Sequence, residues 1–127
     1  MRISEERIVY SQLSYQLNGL LFDVHNELGK FGRERQYADA LEKALKMAGL
    51  PYAREYVIPG SDGSNKADFL VAGKILVEIK ARQRIGREEY LQLMRYLRSA
   101  GLKLGILVNF RVSTLRPKRV LNSQVRE

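Results

Sequence analysis

The sequence predicts an α/β domain in which a mixed β-sheet is flanked by helices, in the order ααβββαβ. Three observations carry that expectation. Two segments ahead of residue 50 repeat apolar side chains at three- and four-residue steps. Three short runs rich in β-formers follow between residues 52 and 81. After a further helical stretch comes LGILVNF, almost wholly apolar, as a strand buried on both faces should be.

The first helix is expected over about Ser4 to Leu28. Ile8, Leu13, Leu17, Leu20, Leu21, Val24 and Leu28 form its apolar stripe, Glu5 and Glu6 suit its N-terminus, and Gly29 is placed to end it. The second runs from about Arg33 to Met47 on a stripe of Tyr37, Ala38, Leu41, Ala44 and Leu45, and Gly49 and Pro51 stop it. Tyr52 to Ile58 reads as a strand, and PGSDGSN from Pro59 to Asn65 as a loop. Two strands, about Lys66 to Val71 and Lys74 to Ala81, turn at Gly73. A third helix is expected from Arg87 to Ala100, closed by Gly101, and a last strand from Leu104 to Phe110. The organisation is one domain over residues 1–127: an N-terminal helix at 4–28, a core at 33–110 and a basic tail at 111–127 whose structure the pattern does not assign.

At 127 residues the chain suits a single core, with 45% apolar and 28% charged residues as in ordinary globular proteins. No apolar run approaches the roughly 20 residues that cross a bilayer, and MRISEERIVY lacks the apolar centre of a signal peptide. A membrane is therefore not an expected partner, and the expected location is cytoplasmic. The absence of cysteine removes disulfides, thiol nucleophiles and thiolate zinc sites, and a lone histidine, His25, cannot make a His-rich metal site.

The net charge of +8 is unevenly distributed. From Lys80 onward there are 12 basic and 3 acidic residues, whereas residues 1–79 carry 10 basic and 11 acidic. A cationic second half suggests an anionic polymer as partner; the alternative is a solvated basic surface.

The chemistry lies in the two middle strands, as Asp68-x9-Glu78-x-Lys80. Glu78 and Lys80 are two apart and share a strand face. Asp68 joins them only if the hairpin loop has an odd number of residues, for instance three including Gly73, a length that fits a left-handed glycine. That register also collects Phe69, Val71, Ile75, Val77 and Ile79 into one apolar layer on the opposite face. Two carboxylates on facing strands can bind Mg²⁺ or Mn²⁺, hard cations that prefer oxygen. Such a metal lowers the pKa of a bound water and polarises a phosphoryl oxygen, and a neighbouring lysine holds the water or offsets transition-state charge. The competing reading is a surface lattice of ion pairs.

Ala67-Asp68 followed by Val77-Glu78-Ile79-Lys80 resembles the core of the PD-(D/E)XK nuclease superfamily. Val24-His25-Asn26-Glu27-Leu28-Gly29, Glu34 with Tyr37 and Ala40-Leu41, Gln92 through Tyr96-Leu97, and Gly105 to Asn109-Phe110 resemble the VHNELG, ExxY and QxxxYL…GxLxNF segments of its GxxExxY family. The likeness spans about residues 11 to 120. It departs at one point: the family glycine three residues before Glu34 falls on Phe31, with Gly32 one place later.

The resemblance implies a restriction-endonuclease-like fold and a set of roles. Asp68 and Glu78 would be metal ligands, with the Ile79 carbonyl between them as a further one and Lys80 orienting water. Glu34 would complete the metal site or orient a water; otherwise it is a carboxylate favoured at a helix N-terminus. Gln92 and Tyr96, on one helix face, would contact the water or the nucleic-acid backbone; otherwise they are a solvated residue and a core aromatic. His25 reads as structural, although some related nucleases use a histidine ligand. Tyr37 reads as core. Arg82, Arg84 and Arg87, just past the Glu-x-Lys strand, suit phosphate contacts, and Arg111, Arg116, Lys118 and Arg119 would extend the track.

The function expected is therefore a Mg²⁺- or Mn²⁺-dependent deoxyribonuclease acting on DNA without an organic cofactor. Two alternatives stay open: a Holliday-junction-resolvase-like endonuclease, which would act as a homodimer, and a nucleic-acid-binding module without catalysis.

Overall fold

The computed structural model describes residues 9–125. Within it, helix α1 spans Ser11–Leu28 and α2 spans Glu34–Ala48. Strands β1 (Tyr52–Val57), β2 (Lys66–Val71) and β3 (Ile75–Lys80) follow. Helix α3 (Arg87–Ala100), β4 (Leu104–Asn109) and β5 (Lys118–Leu121) complete the chain. The expected elements are present, with ends shifted by a residue at most points. Val9 and Tyr10, inside the span expected for the first helix, are instead a turn: Tyr10 is left-handed at φ 52°, and the helix begins at Ser11. Ser4, Glu5, Glu6 and Ile8 lie outside the described residues, as do the last two residues of the tail.

The five strands lie in chain order. β1–β2, β2–β3 and β4–β5 pair antiparallel, while β3 and β4 run parallel, joined by a crossover through α3. β5 lies in the segment that the sequence pattern left unassigned. Only Val120 of its four residues is buried, so it carries almost no apolar signature and owes its conformation to pairing along β4.

The helices cover both faces. On one, α1 and α2 pack Leu17, Leu21, Val24, Tyr37, Leu41 and Leu45 onto Phe69, Val71, Ile75, Val77 and Ile79 of the β2–β3 hairpin. This is the apolar layer that the odd register requires, and the loop has the predicted length: Val71 pairs with Ile75, leaving Ala72, Gly73 and Lys74 between them. Ala72 and Gly73 are both left-handed, and the Lys74 N–H donates to the Val71 carbonyl at 3.0 Å. On the other face α3 packs Leu93, Tyr96 and Leu97 against Leu76 and Leu107. Gly105 makes this approach close: a Cβ there would lie 2.9 Å from Leu93 Cδ2. Since Ile75, Val77 and Ile79 face α1 and α2, the alternate residues Glu78 and Lys80 face α3.

Candidate active site

The β2–β3 ladder ends at Phe69 and Val77, although β2 continues its pairing with β1 as far as Lys66. One step past that last pair, Asp68 and Glu78 stand opposite each other and their side chains replace the ladder. The Asp68 N–H donates to Glu78 Oε1 at 2.9 Å, and the Ile79 N–H donates to Asp68 Oδ2 at 2.6 Å. Backbone donors left free where the strands part are thus satisfied by the two acids. Each carboxylate spends one oxygen in this way. The second oxygen of Glu78 lies 3.8 Å from Lys80 Nζ.

Burial is the dominant electrostatic fact. It pushes the Glu78 carboxyl up to about 7, and the neighbouring Asp68 charge pushes in the same direction, against the hydrogen bond from Asp68 N–H and the pull of Lys80. Asp68 is also raised, again chiefly by burial, while the Ile79 N–H and Lys80 oppose the rise. Two desolvated acids side by side are a high-energy arrangement without a nearby cation, and Lys80 supplies only one.

Glu34 opens α2 and reaches the strand from the side: the Ala81 N–H, next to Lys80, donates to its Oε2 at 3.0 Å. Its charge raises the carboxyl groups of both Asp68 and Glu78. Glu34 and Asp68 line a cleft of about 580 Å³ shared with Arg35, Asp39, Arg54 and Lys66. Among the described residues, no three acidic or histidine side chains close into a cage for a metal ion. The donor set still suits a hard divalent ion. The carboxylates of half-buried Asp68 and buried Glu78 stand together, each keeps an oxygen beyond its backbone hydrogen bond, and oxygen is the donor that Mg²⁺ and Mn²⁺ prefer.

On the far side of Lys80 a second cleft, of about 260 Å³, is lined by Lys80, Arg82, Glu88, Glu89, Gln92 and Arg95. Gln92 therefore sits beside the lysine. Tyr96, one turn on, is buried against Leu76 and Leu107; burial raises its hydroxyl pKa, and the Glu78 and Asp68 charges add to the rise. Core packing and proximity to the acids are both true of this residue.

The three arginines diverge. Arg82 is at the second cleft, paired with Glu89 at 3.0 Å. Arg84 lines a groove with Arg116 and Lys118, and Arg87 another with Lys118 and Arg119. His25 is held by its Nε2 against the Val112 carbonyl at 2.8 Å and tilts onto Phe110, tying α1 to the segment after β4 rather than to the acids.

Two residues beside the candidate site, Arg54 and Asn109, carry no assigned role in the sequence reading, although Asn109 belongs to the Gly105 to Asn109-Phe110 segment. Arg54 of β1 lies in the larger cleft and lowers the Asp68 carboxyl while paired with Asp39 at 2.8 Å and Glu42 at 2.9 Å. Asn109 closes the turn after Lys80: its Oδ1 accepts from Arg82 N–H at 3.1 Å, and its Nδ2 donates to the Arg82 carbonyl at 2.8 Å. The parallel register sets Asn109 beside Lys80, a placement that the motif spacing did not give.

Reciprocal carboxylate-to-backbone bonds thus join β2 and β3 where they part, with a lysine two residues on. A family model for the PD-(D/E)XK nuclease superfamily matches residues 11–120. The chain belongs to the PD-(D/E)XK nuclease superfamily. Its three helices and five-stranded mixed sheet form the restriction-endonuclease-like α/β domain expected of that superfamily. No curated protein and no solved structure gives a significant match. Among the described residues, no helix is long and apolar enough to cross a membrane.

Proposed function

We propose that this superfamily domain is a Mg²⁺- or Mn²⁺-dependent deoxyribonuclease, with Asp68 and Glu78 as the metal-holding carboxylates. The observation that carries the reading is the pairing of half-buried Asp68 with buried Glu78, each acid bonded to the other strand's backbone, with Lys80 Nζ 3.8 Å from Glu78. The Ile79 carbonyl lies between the two side chains in sequence and is the further oxygen proposed for the ion, with Glu34 reaching it directly or through water. A divalent cation bound there supplies positive charge at the scissile phosphate and makes water more acidic.

The remaining work falls to side chains. Lys80 holds the attacking water and offsets the charge that grows on the phosphoryl oxygens. Gln92, beside Lys80 in the second cleft, offers an amide to the same water or to the backbone. Tyr96 fixes that helix face against the sheet. Arg82 turns from Glu89 to a phosphate, a bidentate match for guanidinium. Water adds to phosphorus, the ester P–O bond breaks, and the products are a phosphate and a hydroxyl end.

The test is a cleavage screen over linear, circular, single-stranded and four-way DNA with Mn²⁺, run beside Lys80→Ala and Asp68→Asn. The expected result is cleavage that EDTA stops and that each substitution lowers by about 100-fold or more, with DNA binding largely kept. Cleavage at the wild-type rate by both variants, or undiminished cleavage in EDTA, overturns the proposal. Preference for the four-way substrate by a dimer would select the resolvase form of the reading over a general deoxyribonuclease.

A further inference from the structure

The loop between α1 and α2 presents an aromatic ring to solvent from a rigid mount. Phe31 is 77% exposed, yet its neighbours are firmly held. Tyr37, buried and stacked on Phe110 at 4.2 Å, donates its hydroxyl to the Gly29 carbonyl at 2.6 Å and accepts from the Gly32 N–H at 2.9 Å. Gly32 passes so close that a Cβ there would lie 2.8 Å from Tyr37 Cζ. Phe31 is thus displayed by a clamped loop, at the position where the family resemblance expects glycine.

Its surroundings are cationic rather than apolar. Lys30 Nζ lies 5.4 Å from the ring centre and Arg111 Cζ 6.0 Å from it, both at cation–π range. Lys30, Phe31, Gln83 and Arg111 line a hollow of about 390 Å³. Gln83 follows Lys80 by three residues and Glu34 follows Phe31 by three, so the hollow joins the segment leaving β3 to the loop that leads into α2. An apolar protein partner would have to bury two cations along with the ring. An unpaired nucleotide needs both features: a ring to stack on, and positive charge for its phosphates.

We propose that Phe31 is a stacking platform for an unpaired base, with Lys30 and Arg111 holding the adjoining phosphates, so that the substrate is single-stranded beside the cut. This rests on the deoxyribonuclease reading for its substrate, and its test measures binding without cleavage. Labelled single-stranded DNA and a blunt duplex of equal length are titrated with the full chain in EDTA, by fluorescence anisotropy. Phe31→Ala is expected to weaken single-strand binding about tenfold and duplex binding less than twofold, while Phe31→Tyr restores the single-strand affinity. The ring is exposed, so the melting temperature of either variant should stay at the wild-type value. Equal losses on both DNAs, no loss on either, or a failure of tyrosine to rescue overturns the platform. So does a Phe31→Ala change in oligomeric state with unaltered DNA affinity, which assigns the ring to self-association. Loss of cleavage activity in the wild-type screen, with this binding pattern intact, would instead count against the catalytic reading alone.

Discussion

Glu78 bears the largest electrostatic cost in the candidate site, and that cost has a measurable sign. Burial and the Asp68 charge raise its carboxyl from the ordinary 4.5 to about 7 in the folded chain. A proton on Glu78 therefore favours the folded state. The associated stability is complete below the unfolded value near 4.5 and is lost as pH rises through about 7. Asp68 is shifted the same way. In EDTA, the unfolding free energy should fall between pH 5 and pH 8, and Glu78→Gln should flatten that fall. The amide keeps an acceptor for Asp68 N–H while removing the charge. Thermal melts of both proteins across this range check the prediction, and superimposable profiles would refute it. A divalent cation opposes the same repulsion, so added Mg²⁺ should raise the wild-type melting temperature more at pH 8 than at pH 5.

Between elements, the loop joining α1 to α2 determines where Glu34 begins its helix, and one glycine sets that loop. At Gly32 an added Cβ would meet Tyr37 Cζ at 2.8 Å and the hydroxyl at 3.0 Å. Tyr37 cannot yield easily, being fully buried and stacked on Phe110. Gly32→Ala should therefore cost about 1–3 kcal/mol of stability, as overpacking does, measurable by urea unfolding, and should lower cleavage by displacing Glu34. An alanine variant of wild-type stability would show that the loop is softer than its contacts imply. This loop also marks the limit of what could be read from the chain. Periodicity identified the Tyr37 ring as core, because the side chain lies on the apolar stripe of α2. It could not identify the hydroxyl's partners, Gly29 and Gly32, which depend on where α1 ends in space. The hairpin was legible for the opposite reason: one register alone builds an apolar layer and gathers Asp68, Glu78 and Lys80 on the other face. α3 was legible at its C-terminal end from Gly101, which closes it in the left-handed conformation. β5 was not, since three of its four residues are exposed and a neighbouring strand supplies its order.

Over the whole molecule, pairing of β5 with β4 gives the cationic second half a shape that the linear charge count could not. Arg116 and Lys118 come to lie with Arg84, and Lys118 with Arg87 and Arg119. Gln83 joins the first of these grooves to the hollow of Lys30, Phe31 and Arg111. The shared residues Gln83 and Lys118 make one band from the α1–α2 loop to the start of α3. Three acids are placed elsewhere: Asp39 and Glu42 are taken up by Arg54 at the larger cleft, and Glu89 by Arg82. A polyanion lying along the band displaces a counterion for each phosphate neutralised, so log affinity should fall linearly with log salt, by about 0.7 per contact for a single strand and about 0.9 for a duplex. Removing Arg84 and Arg116 together, as alanines, should make the slope shallower by about one to two units. The measurement is anisotropy on labelled DNA in EDTA between low and physiological salt. A slope identical in the double variant and the wild type would remove this groove from the path of the nucleic acid, because counterion release counts only cations that phosphates actually reach.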